Sequence, residues 1–212
     1  MKKYLFLDID GVINSERSFL KYSKQWADAS QSFRDEVEQF MEAEMEKINA
    51  SGFRYGKLHL ARAKSVGIYG IGVEGGTKPD GTAIANLNKL CETIPGLRII
   101  ISSTWRVGST LEELQDIFKL WGMQSPELIY GQTADSYDRP RSEEIIDWLQ
   151  AQGLLYKIML QEHQIAILDD LDDMVELNPC LVQTDPRIGF SSDDLKTILK
   201  VFGVEIFGIR MS

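Results

Sequence analysis

Cysteine, histidine and positive charge are scarce in this chain, and each scarcity removes a class of chemistry. Two cysteines, Cys91 and Cys180, and two histidines, His59 and His163, in 212 residues cannot supply a disulfide framework or a thiolate zinc site. A thiol nucleophile needs an activating neighbour, and the residues around both cysteines offer none. Both thiols are expected to be buried and reduced, and the histidines to be surface or packing residues. Lysine and arginine number 23 against 32 acids, a net charge of −9. That balance argues against a generic grip on nucleic-acid backbone, which needs a basic face. An acidic chain that binds phosphate esters must concentrate positive charge at the site itself, from arginines, lysines or a metal ion. No apolar stretch approaches the length of a membrane span. Met1-Lys2-Lys3-Tyr4 enters an acid-bearing strand too early for a signal peptide, so a cytoplasmic protein is expected. There is no internal repeat or low-complexity tract.

What is present, 43% hydrophobic and 26% charged residues, is enough to bury a sizeable core. The chain is organised around its first strand and the turn after it, Tyr4-Leu5-Phe6-Leu7-Asp8-Ile9-Asp10-Gly11-Val12. Four apolar residues ended by two carboxylates and a glycine describe a strand buried on both faces of a parallel sheet, with its acids at the carboxyl edge. Ligands of open α/β sheets bind at that edge. Asp8 and Asp10 reach one crevice if the backbone bends at Gly11, which has no Cβ to obstruct the turn. An EF-hand calcium loop is excluded by the offsets of Gly11 and Asn14 and by the strand that leads in.

For about seventy residues after Asn14 the α/β alternation stops. Phe33, Val37, Phe40, Met41, Met45 and Ile48 recur at helical spacing, with Glu36, Glu38, Glu42, Glu44 and Glu46 between them, which predicts an amphipathic helix over 32–50 with a solvated acidic face. The basic and aromatic stretch from Phe53 to Lys64 reads as a surface cluster offsetting those glutamates. Gly70-Ile71-Gly72-Val73-Glu74-Gly75 fits Gly-x-Gly-x-x-Gly literally. Gly76, Lys78 and Pro79 stand where a phosphate-binding helix would begin, so this reads as a connection back to the core.

Periodicity resumes with a helix capped by Asp80 and running through Ile94. Strands are expected at Leu97–Ile101, Leu128–Tyr130, Gln164–Leu168 and Leu181–Thr184. Helices are expected from Thr110 to Trp121, from Arg141 onward with Ile145, Ile146, Trp148 and Leu149 inward, and from Ser191 to Val201. The order implies an α/β fold with a parallel sheet and helices on both faces.

Three strand ends then carry polar groups: Asp8 with Asp10, Ser102 with Ser103, and Asp169 with Asp170. Two carboxylates about 4 Å apart at an effective dielectric of 20 repel by roughly 4 kcal/mol, so several converging need a counter-cation. All-oxygen ligands suit magnesium. Asp8 is then a candidate nucleophile that forms an aspartyl-phosphate, and Asp10 a candidate acid and base. A serine would donate to the transferring phosphoryl group. Ser102, the first polar residue after the apolar run, is favoured over Ser103. A guanidinium would neutralise the remaining oxygens, with Arg141, Arg139 and Arg106 as candidates. Arg141 starts a helix whose free N–H groups can face the same anion, or it pairs with Glu143 or Glu144. Arg106 either binds substrate or braces its loop.

Leu7-Asp8-Ile9-Asp10-Gly11-Val12 resembles the first motif of the haloacid dehalogenase (HAD) superfamily, Ser102 its second, Arg141 its basic third and Leu168-Asp169-Asp170 its fourth. More narrowly, Ser102-Ser103-Thr104-Trp105-Arg106, Arg141-Ser142-Glu143-Glu144-Ile145 with Trp148-Leu149, and Val182-Gln183-Thr184-Asp185 with Gly189-Phe190 are similar to the HAD domain of Swiss Army Knife RNA repair proteins. The likeness covers residues 1–14 and about 80–203. Ser142 departs from it, standing where a glycine is common.

The resemblance implies a Rossmann-like three-layer sandwich, 1–14 with 80–212, carrying a mainly helical C1-type cap at 15–79 that screens the site. It implies Asp8 as nucleophile and Asp10 as acid/base. Magnesium would be held by Asp8, the main-chain carbonyl of Asp10 and Asp169, with Asp170 nearby, and Gly11, Ser103 and Arg106 would border the substrate. The expected activity is hydrolysis of a phosphomonoester on a nucleotide, a nucleic-acid end or a small metabolite. Two other functions are alternatives: a catalytically idle interaction module that keeps the fold and docks through the acidic helix, and a phosphotransferase or mutase that uses the same residues.

Overall fold

The computed structural model describes residues 2–70, 79–134 and 139–204. Its centre is a five-stranded parallel sheet in the order β3-β2-β1-β4-β5, formed by β1 (Lys3–Leu7), β2 (Leu97–Ile101), β3 (Ile129–Gln132), β4 (Ile165–Asp169) and β5 (Leu181–Gln183). β1 is the middle strand, paired in parallel with β2 (Leu5 opposite Ile99) and with β4 (Leu5 opposite Ala166). The chain lays down β2 and β3 on one side of β1, then returns to lay down β4 and β5 on the other. Ligands of such sheets bind where the strand order reverses, which here is the end of β1.

The period-2 geometry of a strand sorts its side chains onto two faces. Leu5, Leu7, Ile99, Ile101, Ala166 and Leu168 turn to one face, which is covered by α4 (Gly81–Thr93), α5 (Leu111–Leu120) and α8 (Ser192–Val201) through Leu87, Leu90, Ile117, Phe118, Leu195 and Ile198. Tyr4, Phe6, Ile100, Ile165 and Ile167 turn to the other, covered by α6 (Arg141–Ala151) and α7 (Tyr156–Gln161) through Ile145, Leu149 and Met159. The strands lack alternation because both faces are buried, and the result is a three-layer α/β sandwich with a parallel central sheet.

Helix boundaries follow their caps. Asp80, Thr110 and Ser191 accept from the first-turn amides of α4, α5 and α8, the latter two as capping boxes with Glu113 and Asp194. The third strand begins at Ile129, one residue later than expected, because Pro126–Leu128 forms a 3-10 turn.

Between β1 and α4 lie α1 (Glu16–Asp28), α2 (Gln31–Ala50) and α3 (Tyr55–Tyr69). Only α2 was visible as a pattern. α1 buries a single residue, Ser18, and α3 turns small residues inward, Gly56, Ala61, Ala63 and Ser65, so neither leaves an apolar stripe in the sequence. α2 packs on α3 through a small cluster of Met41, Ile48 and Ala61. α3 in turn packs on α5, where the Gly56 amide donates to the Gly108 carbonyl at 3.1 Å. A Cβ on Gly56 would lie 2.6 Å from Ser109 Cα, so only glycine permits this approach. Arg54 pairs with Glu113, and Lys64 with Glu44 at 3.5 Å, so the basic stretch offsets acids on the core as well as on α2. The excursion closes where the Asp80 amide donates to Ile13 O at 2.8 Å. Of the glycine-rich match, Gly70 ends α3 in a left-handed conformation, and 71–78 lie outside the described residues.

Candidate active site

The hydrogen-bond ladder runs one residue past the strands and thereby fixes the site. Asp8 N donates to Leu168 O and Ser102 N to Leu7 O, both at 3.0 Å. Thr133 N reaches Ile101 O at 3.0 Å and Thr184 N reaches Asp169 O at 2.9 Å. Five polar residues are therefore set on one sheet edge by backbone pairing.

Beyond Asp8 the chain turns sharply, with Gly11 N on Asn14 O at 2.7 Å and Ile13 N on Ile9 O at 2.8 Å. Gly11 has φ +75°, and a Cβ there would lie 2.5 Å from Asp170 Cγ. Its amide is taken by Asn14 and its carbonyl accepts from Thr184 Oγ1 at 3.0 Å. Gly11 thus lets the first turn and the fourth-strand acids approach each other.

The approach brings carboxylate oxygens of Asp8, Asp169 and Asp170 within 4.8 Å of one another. Arg141, at the start of α6, reaches Asp8 Oδ2 at 3.1 Å and Asp169 Oδ2 at 2.5 Å. Asp169 Oδ1 accepts from Leu171 N at 3.0 Å, so both of its oxygens are fixed. Burial and the neighbouring Asp8 push the Asp169 carboxyl up to about 6, and the same two causes raise Asp170. Burial opposes the charge on Arg141, but Asp8 and Asp169 outweigh it and raise its pKa. Three carboxylates against one guanidinium leave two negative charges, which match one divalent ion. The donors are all oxygen, as a hard cation requires.

Asp10 lies apart from that cluster and is exposed. Its carboxylate accepts from Trp105 Nε1 at 2.9 Å and from Asn14 Nδ2 at 3.2 Å. It therefore does not join Asp8, Asp169 and Asp170 through its side chain, and the metal role that the resemblance implies for Asp10 is that of its main-chain carbonyl.

Ser102 and Ser103, both fully buried, separate cleanly. Ser103 caps the 3-10 turn Thr104–Arg106 by accepting from Trp105 N, a structural role. Ser102 Oγ has no hydrogen-bond partner among the described residues. A buried hydroxyl without a partner is costly unless something else completes it, and a phosphoryl oxygen is a suitable acceptor.

The three arginines separate as well. Arg139 is on the surface, held by Glu143 at 2.9 Å and by Asp147. Of the two roles open to Arg106, the described contacts are those of a brace. It is 6% exposed and donates to Ser102 O and Ser103 O at 2.8 Å, to Ala134 O at 3.1 Å and to Glu144 Oε2 at 2.6 Å. Glu144, the alternative partner considered for Arg141, is thus on Arg106, which frees Arg141 for the acids.

Two polar groups at this edge escaped the sequence reading. Thr133 Oγ1 and Gln132 Oε1, at the end of β3, are buried without a hydrogen-bond partner among the described residues. Their only advance signal was position after a strand too short to align. The thiols take no part: burial pushes Cys91 and Cys180 up to about 12. His59 is a packing residue stacked on Trp105, and burial with Arg62 nearby holds it down to about 4.

Comparison with known proteins finds a family match over residues 60–195 to the HAD domain in Swiss Army Knife RNA repair proteins. The match takes in the Ser102, Arg141 and Asp169 motifs, begins within α3 and leaves Asp8 outside its span. No curated protein matches. Among solved structures, the L-2-haloacid dehalogenase from Xanthobacter autotrophicus is 15% identical, with 86% of this chain and 76% of that chain covered and a TM-score of 0.39. A second structure, described as a dehalogenase, is 12% identical, with 95% and 96% covered and a TM-score of 0.43. No described helix is long and apolar enough to cross a membrane. The chain belongs to the HAD superfamily, in the family of HAD domains found in Swiss Army Knife RNA repair proteins.

Proposed function

We propose that this HAD-superfamily hydrolase is a magnesium-dependent phosphatase that cleaves phosphomonoesters through an aspartyl-phosphate on Asp8. One observation carries the reading: Asp8, Asp169 and Asp170 converge within 4.8 Å around a deficit of positive charge that Arg141 only partly fills.

Asp8, Asp169 and Asp170 would hold magnesium, with the Asp10 carbonyl added by the family resemblance. When bound, magnesium offsets the carboxylate charge and withdraws electron density from a phosphoryl oxygen, so an anionic nucleophile can approach an anionic ester. Asp8 contributes a carboxylate oxygen that attacks phosphorus, and the bond from phosphorus to the ester oxygen breaks. The departing oxygen takes a proton from Asp10. In the second step Asp10 takes a proton from water, the water oxygen bonds to phosphorus, and inorganic phosphate leaves as the Asp8 carboxylate is regenerated. Ser102 Oγ donates to the phosphoryl group in flight, and Arg141 steadies its charge together with that of Asp8.

The substrate class follows from two supports. The net charge of −9 disfavours long nucleic-acid contacts, while the family is that of RNA repair domains. A terminal phosphate on a nucleotide or short oligonucleotide satisfies both. α2, resting on α3, would form with α1 the cap that screens this site from water.

A panel of 3′- and 5′-phosphorylated oligonucleotides, nucleotides and sugar phosphates, assayed with and without magnesium, tests the proposal. Turnover that requires magnesium and disappears in Asp8→Asn is expected. Turnover that survives Asp8→Asn contradicts the mechanism.

A further inference from the structure

The insertion reaches the proposed acid/base through two aromatic rings. His59 of α3 lies over Trp105 with ring centroids 4.1 Å apart and planes inclined by 17°. Trp105 is 4% exposed and also meets Trp121 edge-on at 5.3 Å, so its indole is held on two sides. From that position its Nε1–H donates to Asp10 Oδ2 at 2.9 Å. Asp10 itself is exposed, on a turn outside the carboxylate cluster, and among the described residues its second oxygen accepts the longer bond from Asn14 at 3.2 Å. An exposed carboxylate has several rotamers open to it, and a proton donor must sit within hydrogen-bond reach of the leaving oxygen.

We propose that Trp105 is a positioning residue that fixes the Asp10 carboxylate for proton transfer, and that His59 keeps the indole in register, so that the insertion helix tunes the acid/base. The inference rests on the phosphatase reading. Gly56 is part of the same device, because the close approach of α3 to the Gly108 and Ser109 backbone sets the depth at which His59 meets Trp105. Trp105 touches no reacting atom in this arrangement; its effect passes through Asp10.

The chemistry supplies a readout that a merely structural role would not move. Proton donation matters for a poor leaving group such as an alkoxide and little for p-nitrophenolate, which departs as a stable anion. Trp105→Phe keeps the ring and removes the N–H. It is expected to lower kcat/KM for an alkyl phosphate such as glycerol phosphate by about 10-fold, and for p-nitrophenyl phosphate by no more than about 2-fold. In an Asp10→Asn background the same substitution is expected to add nothing. Equal losses on both esters, or an undiminished loss beside Asp10→Asn, would overturn the proposal. His59→Ala, which leaves the N–H in place, provides the second arm: a selective loss of about 3-fold on the alkyl ester is expected, and a loss without selectivity counts against the device. Asp8→Asn run alongside separates the two claims. If Asp8→Asn remains active the phosphatase mechanism fails, whereas an inactive Asp8→Asn beside a Trp105→Phe indistinguishable from wild type rejects only the role of Trp105.

Discussion

The two halves of the sheet's carboxyl edge are equally buried and equally polar, yet they are built on opposite terms. At the ends of β2 and β3, Arg106 distributes its donors among three carbonyls and Glu144. At the ends of β1 and β4, three carboxylates share the single guanidinium of Arg141. A buried ion fully bonded to its surroundings fixes a shape. A cluster of like charge short of counter-charge holds free energy that a cation can release, so the half deficient in positive charge is where metal binding and chemistry belong. Ser102 belongs to both accounts: its carbonyl serves the brace, and its hydroxyl stands without a described partner.

Breaking the braced half should cost stability before chemistry. Arg106→Met strips Glu144 of its guanidinium and leaves buried carbonyls short of a donor, and is expected to destabilise by about 3–5 kcal/mol, measured by urea unfolding with magnesium present. Breaking the deficient half should do the reverse. Arg141→Met is expected to lower kcat about 100- to 1,000-fold with little change in the unfolding midpoint in saturating magnesium.

The contrast is also open to proton titration. Asp169 is raised from 3.8 to about 6 and Asp170 is raised as well, so the folded state holds these protons more tightly than the unfolded chain. Their contribution to metal-free stability is full below about pH 4 and is lost as pH rises through about 6. Magnesium competes with the same protons, so its effect on Tm should be larger at pH 7.5 than at pH 5, as thermal melts would show. A smaller effect sharpens the point: Asp170→Asn removes one like charge and is expected to stabilise the metal-free protein by about 1 kcal/mol while weakening magnesium binding in titration calorimetry.

Much of the fold was legible because buried parallel strands announce themselves. β1 from Tyr4 and β4 to Leu168 are unbroken apolar runs, β2 is broken only by Arg98, all are followed by polar residues, and the ladder carries those endings to one edge. The convergence of Asp8 with Asp169 and Asp170 follows from that pairing. The insertion was less legible for the converse reason. α3 contacts the core largely through glycine, alanine and serine beside Leu60, Val66 and His59, and close approach of backbones leaves no clear hydrophobic period.

Residue roles that depend on partner choice were hidden too. Arg106 and Arg141 are both arginines beside strand ends, and Glu144 lies three residues after Arg141 as a natural helical partner. Only the tertiary arrangement gives Glu144 to Arg106. Trp105 was visible as part of a motif, but its bond to Asp10 joins residues 95 apart in sequence.

The central claim, that Asp8 receives phosphorus, is tested most directly by rapid acid quench during turnover of a phosphorylated substrate with magnesium, followed by mass spectrometry of the proteolysed chain. The account predicts a transient phosphoryl group on the peptide bearing Asp8, absent in Asp8→Asn. Phosphate release with no adduct on that peptide, at a rate unchanged by Asp8→Asn, would contradict it.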